Sequence, residues 1–324
     1  MPNIVFASNN IAHWPLTVAS TKAGTYDSAR VPYSFEVIED QIIGSPIFIP
    51  VPGDDSWLHF RTWFESIDFQ GEEILVRAYD VSGNLLFRLI KPDQTSVYTL
   101  TATVYWQGGS SSAGLGFPLN PGIINQMDFK FTATASLIEL TCFTNGAQSA
   151  FMTNASNPGS YGPIAYFVVG SPFSNAGFPQ YFSEFIVADE DTRNARINLL
   201  RPTASGGETD WVGEATALGD DDPTSGMTTT LVEQRQTLAL SAYTGATNIS
   251  AMVVASQSFA GAGGPQNMRH TIRLSAVNYD GPSDIPLTPT LKYEVTTWLI
   301  NPATSLPWVS GDLASMELGF ISKT

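Results

Sequence analysis

Cysteine, histidine and positive charge are all scarce in this 324-residue chain, and each shortage closes a class of chemistry. With Cys142 as the single cysteine there is no intrachain disulfide and no cysteine-rich metal site. Beside Leu140 and Phe143, that thiol reads as a small buried hydrophobe. The three histidines, His13, His59 and His270, stand without partners at ligand spacing, which leaves zinc without a site. Fifteen basic residues face thirty acidic ones, for a formal net charge of −15, and they are scattered singly, as at Arg61, Arg77, Arg88 and Arg273. A polyanion is repelled by such a surface, so neither nucleic acid nor an anionic membrane is expected as a partner. Long apolar runs are missing as well. IAYFVV at 164–169 falls far short of the ~20 residues that cross a bilayer, so no membrane insertion is expected. MPNIVFASNNIAHW lacks the basic and apolar regions of a signal peptide, and the expectation is a chain folded in a reducing cytoplasm.

Catalytic patterns are equally thin. There is no Gly-x-Ser-x-Gly elbow, and GAGGP at 261–265 misses both the phosphate-loop and the dinucleotide pattern. A glycoside hydrolase needs two carboxylates flanking a cleft, and Glu184 and Asp189 are separated by an apolar strand. The expectation is a protein that is not an enzyme.

What is present is β-strand grammar. Hydrophobic residues make up 43% of the chain and aromatics 11%, while only 14% are charged, as in a folded chain with a Ser/Thr/Asn/Gly surface. HFRTWF (59–64), EILVRAYD (73–80) and LLFRLI (85–90) alternate apolar and polar residues, with a turn at Asp80–Asn84. VYTLTATVYW, MDFKFTATA and SLIELTCFTNG continue the pattern, the last ending on the turn dipeptide Asn145-Gly146. After QYFSEFIVADEDTRNARINLL a long polar segment begins; RQTLALSAY, NISAMVVASQSFA, MRHTIRLSAVNY, KYEVTTWLI and SMELGFIS then resume the strands. Single cores rarely grow past roughly 250 to 300 residues. The expectation is all-β, two antiparallel β-sandwich (jelly-roll) domains in tandem, 1–194 and 195–324. In HTIRLSAV, Ile272, Leu274 and Ala276 are expected to face the core, with Arg273, Ser275 and Val277 opposite and Trp298 and Trp308 covering it from the edge.

Two constellations are candidates for binding. Trp63 and Tyr105 lie inside strands and read as core; Trp57, after Gly53-Asp54-Asp55-Ser56, and Trp106, before a Gly/Ser loop, read as exposed. An exposed ring stacks on a sugar and fixed polar groups hold its hydroxyls, so Trp57 and Trp106 with Asp55 and Asn145 form the expected carbohydrate-binding set. The acid runs Asp189–Asp191 and Asp220–Asp222 offer hard oxygens to Ca2+, although solvated turns explain them more simply, and no cofactor is expected to be required.

SWLHFRTWF, ILVRAYDVSGNLLFRL, MDFKFTATASLIELTCFTNG and QYFSEFIVADEDTR together resemble, in strand order, the concanavalin A-like lectin (laminin-G-like) jelly roll. The second half, with AMVVASQSFAGAGGPQNMRHTIRL and YEVTTWLINPATSLPWVSGDLASMELGF, resembles the C-terminal sandwich of structural proteins from tailed-phage and prophage genomes. In NPATSLPWVSGDLASMELGF (301–320), Asn301-Pro302 turns the chain, Trp308 packs, and Met316, Leu318 and Phe320 mark one face of a strand sealing a sheet edge. The resemblance implies a virion structural protein of the tail tip or a tail fibre, assembled in the host bacterial cytoplasm, with host-surface glycan as a possible ligand. Its expected partners are other virion proteins and further copies of the chain, a trimer being favoured. The alternatives are a capsid decoration protein and a polysaccharide-cleaving enzyme with a carbohydrate-binding module.

Overall fold

Alternating apolar and polar residues become antiparallel strands throughout the computed structural model, which describes residues 4–8, 18–37, 43–44, 53–64, 73–91, 100–106, 109–114, 120–169, 180–219 and 224–324. The chain divides into two units, Met1–Ile197 and Asn198–Thr324. Helix is confined to single 3-10 turns, at Ala215–Leu218 and Ser310–Leu313 among the described residues, and no helix there is long and apolar enough to cross a membrane.

The first unit contains β1 (Ile4–Ser8), β2 (Val18–Ser20), β3 (Ser34–Val37), β4 (Ile43–Gly44), β5 (Asp55–Phe64), β6 (Glu73–Tyr79), β7 (Leu85–Lys91), β8 (Thr101–Trp106), β9 (Gly109–Gly114), β10 (Asn125–Thr134), β11 (Leu137–Thr144), β12 (Ala147–Asn154), β13 (Tyr166–Val169) and β14 (Gln180–Ala188). One sheet runs β12-β11-β10-β5-β14-β3-β2, with β1 also paired to β14; the other runs β4-β13-β6-β7-β8-β9. Their facing sides form one core, in which phenylalanine rings from opposite sheets meet. Phe87 of the second sheet stacks on Phe129 of the first at 5.4 Å, and Phe167 on Phe185 at 5.5 Å. Each such pair adds about 0.5–1.5 kcal/mol to the burial of the rings, which locks the sheets into one register. Cys142 lies in this core as a fully buried thiol, and burial pushes its pKa up.

Turn chemistry fixes the hairpins. Between β6 and β7 the Asp80 carboxylate accepts from the backbone N–H of Ser82 (2.9 Å) and Asn84 (2.8 Å) and from the Asn84 amide (2.8 Å), while Gly83 supplies a φ of 81°. Between β11 and β12, Asn145 and Gly146 both adopt positive φ, 51° and 81°, as a two-residue turn with right-handed strand twist requires.

The second unit holds β15 (Pro202–Thr209), β16 (Arg235–Leu240), β17 (Asn248–Ile249), β18 (Met252–Ser258), β19 (Asn267–Leu274), β20 (Val277–Asp280), β21 (Ile285–Pro286), β22 (Lys292–Trp298), β23 (Trp308–Val309) and β24 (Glu317–Lys323). The main sheet runs β15-β16-β24-β19-β20, with β21 on β19; β18–β22 and β17–β23 are two-stranded ribbons. Ile272 and Leu274 do face the core, with Val254, Trp298, Trp308 and Met316. Ala276 does not. Ser275 and Ala276 form the β19–β20 turn with φ of 48° and 67°, so the alternation stops at Leu274 and Ala276 is exposed. Trp308 is fully buried rather than at an edge, its indole N–H donating to the Trp298 carbonyl at 2.9 Å. The final strand seals no edge either: β24 pairs with β16 on one side and β19 on the other. Between the apolar groups sits His270, whose Nε2 lies 2.7 Å from Ser256 Oγ and whose Nδ1 lies 2.8 Å from Thr296 Oγ1 of the β18–β22 ribbon.

Candidate functional site

A two-sheet sandwich has two outer faces, and in the first unit the chain itself covers one of them. On the first sheet, His59 of β5 and Asp128 of β10 are register partners, and His59 Nδ1 lies 2.8 Å from Asp128 Oδ1. Both are fully buried under the segment after β14: Thr192 Oγ1 donates to Asp128 Oδ1 (2.8 Å), and Gln126 Nε2 donates to Asp128 Oδ2 (2.8 Å) and to the Arg193 carbonyl (2.6 Å). Further along, Arg196 grips Glu184 through Nε (2.8 Å) and Nη2 (2.9 Å) and reaches Asp27 at 2.7 Å. Glu184 takes a φ of 55° at a bulge in β14 and is fully buried, so this carboxylate depends on its cationic neighbours Arg196 and Arg61. The arrangement ties the 191–197 segment down and leaves the His–Asp pair without access to substrate.

Trp57 belongs to the same closed face. It is 6% exposed and stacks on Phe143 at 5.6 Å and 18°, while the Arg193 guanidinium lies 4.6 Å from the Phe143 ring centre. The expectation that Trp57 offers a ring to solvent is therefore corrected. The Gly-Asp-Asp turn ends one residue early, and Trp57 is already inside β5 opposite Lys130. Asp55 is ion-paired to Lys130 at 3.1 Å and accepts from Thr132 Oγ1 at 2.6 Å. Asn145 is exposed in its turn, its Oδ1 accepting from Gln126 N–H at 2.9 Å. Asp55 and Asn145 thus flank opposite ends of β10, roughly 20 Å apart at about 3.4 Å of rise per residue. Trp106 is on the other sheet, half-buried against the core and flat over Gly109. The four residues are not brought together. The acid run at 189–191 is likewise turned to other use, Arg193 holding the Asp191 carboxyl below its usual range through hydrogen bonds of 2.5 to 3.0 Å. No group of three His, Cys, Asp or Glu among the described residues is placed to share a metal ion, and Asp220–Asp222 lie outside those residues.

The second sheet presents a different surface. Val76, Ala78, Phe87, Leu89, Ala102 and Val104 point into the core, so the alternate positions point away. Register places Val168, Arg77, Arg88, Thr103 and Ser112 in one row across five strands. Arg88 lies over the ring of Tyr105 at 5.8 Å, and Thr103 and Ser112 share a hydrogen bond of 2.8 Å. Beside the row, Tyr79 and Tyr166 are register partners with ring centres 5.8 Å apart. Partial burial, and then the neighbouring Tyr79, raises the Tyr166 pKa, so the phenol keeps its proton and can donate it in a hydrogen bond. Tyr105, expected in the core, is half-buried on this outer face, because Val104 takes the inward position. Thr103 and Val168 of this row are buried, so the face offers the groups around them: the half-buried rings of Tyr79, Tyr105 and Tyr166, the half-buried Arg77 and Arg88 side chains and the exposed Ser112 hydroxyl. Sequence reasoning missed it, although the turn at Asp80–Asn84 was legible and set Arg77 and Arg88 on facing strands. The bulge between Ala78 and Tyr79, which decides that they face each other, left no mark in the pattern.

No known protein family and no curated protein matches the chain. Similar solved structures include the cellulose-induced protein Cip1, at 12% identity over 57% of this chain and 97% of that one, with a TM-score of 0.42. A carbohydrate esterase from the Shiga toxin-encoding bacteriophage phi24B is 13% identical over 57% of this chain and 90% of that one, at 0.40. The CBM2 module of the evolved Dit of Lactobacillus casei BL23 phage J-1 is 13% identical over 59% of this chain and 97% of that one, at 0.38.

Proposed function

We propose that the chain is a non-enzymatic structural protein of a tailed-phage virion, in the tail tip or a fibre, whose first unit holds host-surface glycan on the outer face of its second sheet. The observation that carries the glycan reading is the contrast between the two outer faces. One is sealed by the chain's own 191–197 segment, while the other leaves Tyr79, Tyr105 and Tyr166 half-exposed around the buried Thr103 and Val168. Phenol rings give sugar rings a stacking surface, and their hydroxyls give sugar hydroxyls a partner. No carboxylate stands in the central row of that face, which supports holding a glycan rather than hydrolysing it. The position in the particle rests on the resemblance of the second half to the C-terminal sandwich of tailed-phage structural proteins. Self-association belongs to the same reading, supported by the many large apolar side chains the second unit exposes, among them Val212, Phe259, Ile300 and Leu306.

The test pairs Tyr105→Ala with Tyr166→Ala. Weaker binding to host cells at an unchanged melting temperature supports the site, and full binding by both variants removes it. Immunogold labelling of phage particles tests the location: gold at the tail supports the reading, gold confined to the capsid replaces it with a decoration protein, and label away from any virion ends it. Release of reducing ends from host polysaccharide would replace it with an enzyme.

A further inference from the structure

Among the described strands the open sheet edges are protected almost everywhere, and the exception is β18. A strand edge carries unpaired N–H and C=O groups that capture strands from other molecules, and brevity, bulges, charge, proline or glycine blunt it. β2, β4, β17, β21 and β23 are two or three residues long, and β20 has four and ends on Asp280. β1 and β12 are bulged against their partners, β9 begins and ends on glycine, and β15 carries Pro202, Glu208 and two register shifts. β22 carries Lys292 and Glu294. β18, MVVASQS, has no such protection: it is uncharged, and it pairs with β22 through all 7 of its residues without a register shift. Among the described residues its backbone bonds to β22 alone, so the other side of Met252–Ser258 is an unsatisfied edge about 23 Å long at roughly 3.3 Å per residue.

Resting on the self-association proposed above, we infer that β18 is its contact: the β18 edges of two copies pair antiparallel about a two-fold axis and join two ribbons into one sheet of order β22-β18-β18-β22. Full overlap of the strands centres the axis on Ala255, an exposed residue, and sets Val254 opposite Ser256, Val253 opposite Gln257 and Met252 opposite Ser258 of the other copy. Charge makes a second copy the occupant. With a net charge of −15, two copies repel over most of their surface, whereas a basic partner would be drawn to the acids. No Asp, Glu, Lys, Arg or His stands between Arg235 and Arg269, so on this stretch two acidic chains meet without like charges opposed. The pairing also removes both liabilities of the ribbon. Two strands become four, which is a stable number, and the sheet then ends on each side in β22, the strand that carries the charges. The assembly is even-numbered, in place of the trimer that the resemblance favours.

Sedimentation equilibrium of the full-length protein is to be combined with amide hydrogen exchange over Met252–Ser258. The expected result is a dimer or a higher even number of copies, with β18 amides that exchange faster once the copies are separated by dilution. Ala255→Lys, which sets two ammonium groups across the axis, should raise the dissociation constant at least about tenfold while the far-UV circular dichroism is unchanged. Ala255→Thr, uncharged and suited to a strand, should keep the dimer. Exchange in the wild-type protein tests the edge without any variant having to fold. A dimer that survives Ala255→Lys, a three-fold assembly, or β18 amides that exchange equally in associated and separated copies overturns the inference and leaves self-association through the exposed apolar residues standing. A wild-type monomer at working concentration overturns the inference and self-association together, and leaves the glycan reading as it was.

Discussion

Acidification should unfasten the second unit through one residue. His270 is buried in the inner face of the main sheet, and burial pushes its pKa down to about 4 from an ordinary 6.5. Both ring nitrogens face hydroxyls, Ser256 Oγ at 2.7 Å and Thr296 Oγ1 at 2.8 Å, and a hydroxyl can donate or accept. Protonation therefore breaks no hydrogen bond. Its cost is that of placing a charge among Met268, Ile272 and Phe320. The folded pKa lies below the unfolded one, so in the window between them the unfolded chain takes up the proton and the folded chain does not. Stability is complete above about pH 6.5, falls as pH drops through the window, and levels off below pH 4. At 1.36 kcal/mol per pKa unit, about 2 kcal/mol is lost by pH 5 and about 3 kcal/mol by pH 4. The assay is urea unfolding of the full chain between pH 8 and pH 4, followed by tryptophan fluorescence, with His270→Gln as the reference. Asp280 and Asp284, whose pKa values are lowered by Arg235 and Arg269, lose their contribution at lower pH in both proteins, so the difference isolates the imidazole. An imidazole NMR resonance of His270 titrating near pH 6.5 in the folded protein, or identical pH slopes in the two proteins, would refute the reasoning.

Other outcomes follow from the same structure. Trp57→Ala should destabilise the first unit by about 3–5 kcal/mol, read as a lowered urea midpoint, because it removes a buried ring stacked on Phe143. Arg196→Ala, which strips the fully buried Glu184 of its main partner, should cost about 3 kcal/mol in the same measurement and speed proteolysis of the 191–197 segment. Asp80→Ala should cost about 1–3 kcal/mol, read as a lowered urea midpoint, by leaving the β6–β7 turn amides without an acceptor. If the exposed apolar residues of the second unit mediate self-association, Leu306→Asp should shift light scattering from oligomer to monomer; a wild-type monomer at working concentration would end that reading.

Periodicity made most of the strands legible because each carries its core positions in its own residues, as Phe129 and Phe131 do in β10. Turn residues with one physical solution were equally plain: Asn145-Gly146 and Asp80–Asn84 are where the local chemistry places them. What stayed hidden depends on residues distant in sequence. Whether Trp57 is exposed is decided by Phe143 and Arg193, and whether Arg77 meets Arg88 is decided by a one-residue bulge. The expected site failed for that reason, since Asp55, Trp57, Trp106 and Asn145 each look loop-like locally while register sends them to different faces and ends of the sandwich.

The place of β24 between β16 and β19 bears on how the protein is made. Among the described residues β16 and β19 both precede β24 along the chain, so during synthesis these flanking strands emerge from the ribosome with the middle of their sheet still missing. Until Glu317–Lys323 arrives, β16 and β19 each present an unsatisfied edge of the kind that recruits strands from other molecules. Completion must also await a contact between residues far apart in sequence, which slows closure. A chain cut before Met316 would not merely lack a finishing strand; it would keep two open templates, and in a crowded cell making many copies its fate would be decided by which strand reached those templates first.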